Sequence, residues 1–179
     1  MTRAFVAAKL PPEAIDELAA CTRGLDERLG RIMTADQWHL TLQFLGDDAD
    51  VDAVAAALEG FALPGGVVGF GGAGAFPSER RGRVLWVGVA PGQDLIIGLA
   101  EEVGRRMARI GFESDPRTFR PHVTVARCPA PTDLRAPIAA LDAARSGRSW
   151  RVDELAVYES ELRSEGARYR ERATVPLPR

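Results

Sequence analysis

The feature that most limits what this chain can fold into is a restart in its pattern near residue 83. Arg3-Ala4-Phe5-Val6-Ala7-Ala8-Lys9-Leu10-Pro11 and Arg83-Val84-Leu85-Trp86-Val87-Gly88-Val89-Ala90-Pro91 read alike, and each leads into a helical stretch, Pro11–Cys21 or Asp94–Ile110. A strand beginning at a histidine follows each helix, His39–Leu45 and His122–Arg127, and His39 lies nearly as far beyond Arg3 as His122 does beyond Arg83. Further helices are expected at Val51–Phe61 and Leu134–Ala144, with strands at Val67–Phe70, Arg151–Leu162 and Ala167–Leu177. The glycines from 65 to 74 and the run Ser78–Gly82 read as loop. Two similar half-units, approximately 3–80 and 83–177, imply a pseudo-two-fold α+β architecture with largely antiparallel sheets, residues 1–179 being of a length that suits one compact domain or two small, closely joined lobes.

Composition removes several function classes. A formal charge of −2 provides no global basic field, so any nucleic-acid contact is local. No apolar run is long enough to span a membrane, and Met1–Phe5 enters a strand directly without a signal peptide's apolar region, so a cytoplasmic protein with no membrane partner is expected. Cys21 and Cys128 are far apart, which favours two buried thiols over a disulfide framework or zinc ribbon.

The only two histidines head the strands His39-Leu40-Thr41-Leu42-Gln43-Phe44 and His122-Val123-Thr124-Val125-Ala126-Arg127. Side chains alternate along a strand, so each His shares a face with its Thr while Leu40, Leu42, Val123 and Val125 face the core. With eight threonines in the chain, chance gives both histidines this partner about once in five hundred sequences. Neither His has a second His or Cys at ligand spacing, so the sequence announces no metal site. A Gly-x-Ser-x-Gly elbow and a phosphate-binding Gly-Lys-Ser/Thr are absent from the sequence as well.

The segments Trp38–Gly46 and Phe119–Arg127 resemble the paired motifs of the two-histidine phosphoesterases, within them most closely the RNA 2′,3′-cyclic phosphodiesterases, also called 2′-5′ RNA ligase-like proteins. The likeness covers almost the whole chain and includes Phe5-Val6-Ala7, Gly74–Pro77, Arg83–Trp86 and Tyr158–Leu162 with Gly166 and Tyr169. It implies a bilobal fold with helices outside and a central cleft carrying one His-x-Thr strand on each wall. The implied activity is hydrolysis of 2′,3′-cyclic phosphate ends of RNA or nucleotides to 2′-phosphates, with no cofactor or metal and with a monomer as the expected state. His39 is then the general acid and His122 the general base, roles that pseudo-symmetry makes nearly interchangeable. Two imidazoles near their ordinary pKa of about 6.5 can hold opposite protonation states at neutral pH, which suits histidine to both jobs.

By the same resemblance Thr41, Thr124 and Arg127 contact the substrate phosphate. Strict alternation puts Arg127 on the wrong face, so either the strand bulges or the side chain reaches around. Phe119 is a candidate for contact with a base or RNA, whereas Phe44 and Trp86 read as core. Arg80, Arg81, Arg83, Arg117 and Arg120 form either a local electrostatic funnel or a solvated charged loop. The alternatives are a 2′-5′ RNA ligase, another cyclic-nucleotide or 2′,5′-oligonucleotide phosphodiesterase of the superfamily, and a non-catalytic RNA-end-binding module.

Overall fold

The computed structural model describes residues 2–47, 49–113, 118–163 and 166–179. Along the chain run β1 (Thr2–Ala8), α1 (Pro12–Thr22), β2 (Arg31–Ile32), β3 (Leu40–Asp47), α2 (Val51–Leu58), β4 (Gly66–Phe76) and β5 (Gly82–Val89). Then follow α3 (Gln93–Ala108), β6 (His122–Thr132), α4 (Arg135–Ala144), β7 (Ser149–Val152), β8 (Glu154–Arg163) and β9 (Gly166–Pro176). Local chemistry sets the helix boundaries. Proline opens α1, where a missing N–H costs nothing, and the Asp50 carboxylate caps α2 by accepting from the Asp52 and Ala53 amides. In α3, Ile96, Leu99, Val103 and Met107 recur at helical spacing and are fully buried, so one stripe of that helix packs on the protein interior. Among the described residues no helix is long and apolar enough to cross a membrane. Cys21 and Cys128 are free and buried.

The strands form two antiparallel sheets, ordered β3-β1-β8-β9 and β2-β6-β5-β4-β7. In these orders β3, β1 and β8 correspond to β6, β5 and β4, which is the internal symmetry read from the sequence. The sheets do not follow the linear units 3–80 and 83–177, however. β4 comes from the first unit and pairs with β5 of the second, while β8 comes from the second unit and pairs with β1 of the first. Each half therefore lends its last strands to the other's sheet, and neither sheet is complete without both halves.

Two expectations about local structure are corrected. The strand expected over Arg151–Leu162 is two strands in different sheets, β7 against β4 and β8 against β1, with the change of sheet at Asp153. The glycine-rich stretch is the eleven-residue strand β4 rather than a loop. Gly74 and Gly71 serve close approach instead of flexibility: a Cβ on Gly74 would lie 2.3 Å from the Trp86 indole, and one on Gly71 3.0 Å from the Val89–Ala90 backbone. Substituting Gly74→Ala is accordingly expected to lower stability by ~1–3 kcal/mol through overpacking. Thermal denaturation checks this, and an unchanged melting temperature would show that the indole has room to move.

Candidate active site

Both histidines stand at strand beginnings, His39 just before β3 and His122 as the first residue of β6. Their strands line a cleft of about 1190 Å³, with His39, Thr41 and Phe44 contributed by β3 and its approach, and His122, Thr124 and Arg127 by β6. Ile97, Ala100 and Glu101 of α3, together with Glu113, Phe119 and Arg120, complete the surround.

The strand geometry decides which side chains reach this cleft. In β3, Thr41 pairs with Ala7 and Gln43 with Val6, so Leu42 is an additional residue opposite no partner of its own. In β6, Thr124 pairs with Trp86 and Ala126 with Leu85, which leaves Val125 additional in the same way. A bulge of this kind reverses the alternation beyond it. Leu42 and Gln43 are consequently both buried, as are Val125 and Ala126, and the next residue on each strand turns to the cleft. The bulge thus puts Arg127 on the face of His122 and Thr124, which leaves no need for its side chain to reach around the strand. It also corrects the reading of Phe44 as core, because Phe44 is 68% exposed. Phe44 and Arg127 occupy equivalent positions, each five residues beyond its histidine.

Each imidazole is held by the backbone two residues upstream. His122 Nδ1 lies 2.7 Å from the Arg120 carbonyl oxygen. A carbonyl can only accept, so Nδ1 carries the hydrogen and Nε2 remains for exchange with a ligand. His39 hydrogen-bonds the Gln37 backbone at the same offset. That backbone belongs to a short 3-10 turn at Ala35–Gln37, and the Gln37 side-chain amide anchors it by donating to the Ala167 carbonyl at 2.8 Å. Aromatic rings fix the remaining orientation. Phe5 stacks on His39 with centroids 4.6 Å apart and Tyr169 meets its edge at 5.0 Å. Phe76 meets His122 at 5.1 Å, with Trp86 beside it at 5.9 Å. Trp86 is thus half-buried against His122. These packing partners come from β1, β9, β4 and β5, and only strand register reveals that they meet the histidines.

The same packing alters the proton affinities. Burial, with the positive charges of Arg127 and His122 adding to it, pushes His39 down to about 4, against the upward pull of its backbone hydrogen bond. Burial and Arg127 also lower His122, opposed by the Arg120 carbonyl. Both imidazoles of the cleft are thus held below the ordinary histidine value near 6.5, and negative charge entering beside them opposes that shift.

Phe119 is half-buried and lines the cleft, packing partly on the core. Arg83 and Arg120 line it too, whereas Arg80 and Arg81 lie exposed in the turn at 79–81 and outside the cleft lining. Arg117 lies outside the described residues.

The family model described as the 2′-5′ RNA ligase superfamily matches residues 10–163. A protein of Aquifex aeolicus named RNA 2′,3′-cyclic phosphodiesterase is 35% identical over 55% of this chain and 55% of its own length. One of the same name from Aeropyrum pernix is 32% identical over 59% of this chain and 61% of its own. The chain thus matches somewhat more than half the length of these two relatives. A crystal structure of E. coli LigT complexed with 3′-AMP superposes with a TM-score of 0.78 at 26% identity, covering 99% of both chains.

Proposed function

The chain belongs to the 2′-5′ RNA ligase superfamily, and on that premise we propose that it is an RNA 2′,3′-cyclic phosphodiesterase, hydrolysing cyclic phosphate ends to 2′-phosphates by histidine acid–base catalysis. The observation that carries this reading is the pair of imidazoles in one cleft, each fixed through the backbone two residues upstream and each with a threonine hydroxyl two residues on. Binding alone asks for less: fixed cations such as arginine hold a phosphate better than paired titratable rings do.

In the proposed reaction a neutral imidazole takes a proton from water as the water oxygen bonds to phosphorus. The protonated imidazole gives its proton to the 3′ oxygen as the bond from phosphorus to that oxygen breaks. His39 is assigned as the acid and His122 as the base. Thr41 and Thr124 donate to the non-bridging oxygens, a kind of contact typically worth about 2.7–4 kcal/mol when preorganised. Arg127 neutralises the phosphate. Phe44, exposed at the position equivalent to Arg127, offers its ring to the terminal base, and Phe119 borders the same space. The reading carries with it a cytoplasmic setting, RNA ends or nucleotides with cyclic phosphates as ligands, and a protein acting as a monomer.

The test is turnover of a short RNA bearing a 2′,3′-cyclic end, with and without a strong chelator, and with the product's phosphate position identified. Release of a 2′-phosphate at a rate indifferent to chelation, ATP and nicotinamide is expected. Activity lost on chelation and restored by zinc or magnesium would replace this mechanism with a metal-dependent one.

A further inference from the structure

β2 is only two residues long, yet it sets Arg31 directly opposite Arg127 of β6. Directly opposed residues of an antiparallel pair share a face, and the bulge at Val125 has turned Arg127 to the cleft, so Arg31 lies on that same face of the sheet, just outside the residues that line the cleft. Like charges in such a pair repel, and the fold is better off without them unless an anion lies between. Neither guanidinium has an ion-pair partner among the described residues, and the Arg31 side chain touches the Met33 sulfur at 4.0 Å. Asp36, the carboxylate whose charge is felt at the neighbouring Tyr169, accepts from the Thr34 hydroxyl. Two arginines set opposite one another without a carboxylate partner are suited to an anionic ligand.

The two arginines differ in reach. Both act on Tyr169, whereas of the two only Arg127 also acts on the imidazoles. β2 is the edge strand beside β6, so Arg31 stands one strand, about 4.8 Å, farther out than the arginine assigned to the reacting phosphate. Resting on the reading of this cleft as a cyclic phosphodiesterase site, we propose that Arg31 binds the phosphodiester that precedes the terminal nucleotide. The enzyme is thereby matched to oligonucleotides with cyclic ends in preference to free cyclic mononucleotides.

The experiment compares adenosine 2′,3′-cyclic phosphate with a trinucleotide ending in the same cyclic adenosine, using the wild type, Arg31→Gln and Arg31→Lys. Arg31→Gln should lower kcat/KM for the trinucleotide roughly tenfold more than for the mononucleotide, chiefly through KM, with Lys restoring part of the loss. The dependence of log KM on log salt for the trinucleotide should weaken by about 0.7. The melting temperature of Arg31→Gln should be equal to or above wild type because the repulsion is gone, which separates this role from a structural one. Equal loss on both substrates assigns Arg31 to the reacting phosphate and overturns the proposal, as does no loss on either. If the wild type turns over neither substrate, the functional reading fails separately. Affinities of wild type and Arg31→Gln for the 2′-phosphate-ended trinucleotide then decide the matter for Arg31, equal values sinking it.

Discussion

Replacing either histidine, His39→Ala or His122→Ala, is expected to lower kcat on a cyclic-phosphate RNA end by roughly 10²–10⁴-fold, with the fold retained. Each imidazole is assigned a separate proton transfer, and neither can perform both at once on opposite sides of phosphorus. The fold should survive because both rings border an open cleft, so truncation enlarges a solvated space instead of leaving a sealed void. The double variant should be little worse than either single one, since groups that act as a unit are not additive. Thr41→Val and Thr124→Val should cost less than either histidine change, because the other hydroxyl and Arg127 still hold the phosphate. Steady-state kinetics with a melting curve for each variant checks all of this. A folded histidine variant with near wild-type turnover would remove the mechanism, and a threonine variant as inactive as a histidine one would mean the roles are misassigned.

The second large effect is in pH, where each limb of the rate profile should fall about tenfold per unit. Productive catalysis needs one imidazole protonated and the other neutral, and both are depressed in the open cleft, His39 to about 4. The optimum of kcat/KM, which reports the free protein, should therefore lie on the acid side of the ordinary histidine value near 6.5. Bound phosphate adds negative charge beside the rings and raises their proton affinity, so the optimum of kcat should lie at higher pH than that of kcat/KM. Coincident optima, or a kcat/KM maximum at or above pH 7, would contradict the electrostatics of the cleft. The same shift bears on stability. The unfolded chain protonates His39 near 6.5 while the native state resists until about 4. Acid thus favours the unfolded form, and the melting temperature should fall as pH drops through that window.

Much of this was legible in the chain because it depends on short-range periodicity. The His-x-Thr pairs share a face by strand alternation, the helix of Gln93–Ala108 shows its buried stripe at helical spacing, and the restart at Arg83 announces a second unit. The glycines of β4 were misread because Gly is ambiguous locally: whether it marks flexibility or close approach depends on the ring lying over it, and the Trp86 indole over Gly74 comes from another strand. For Phe44, alternation carried past Leu42 gives the wrong face, and nothing within β3 alone marks Leu42 as additional.

By itself, then, the sequence determined most of the element types, the two-fold plan and the identity of the paired imidazoles and hydroxyls, since those follow from side chains within a few residues of one another. Tertiary structure decided which strands each half gives to the other's sheet, how the bulges turn Phe44 and Arg127 to the cleft, and how far burial lowers the histidines. It also decided that Arg31 faces Arg127. The physical reason is common to all four: register between distant strands and exclusion of water are properties of the packed chain, and no local pattern encodes either of them.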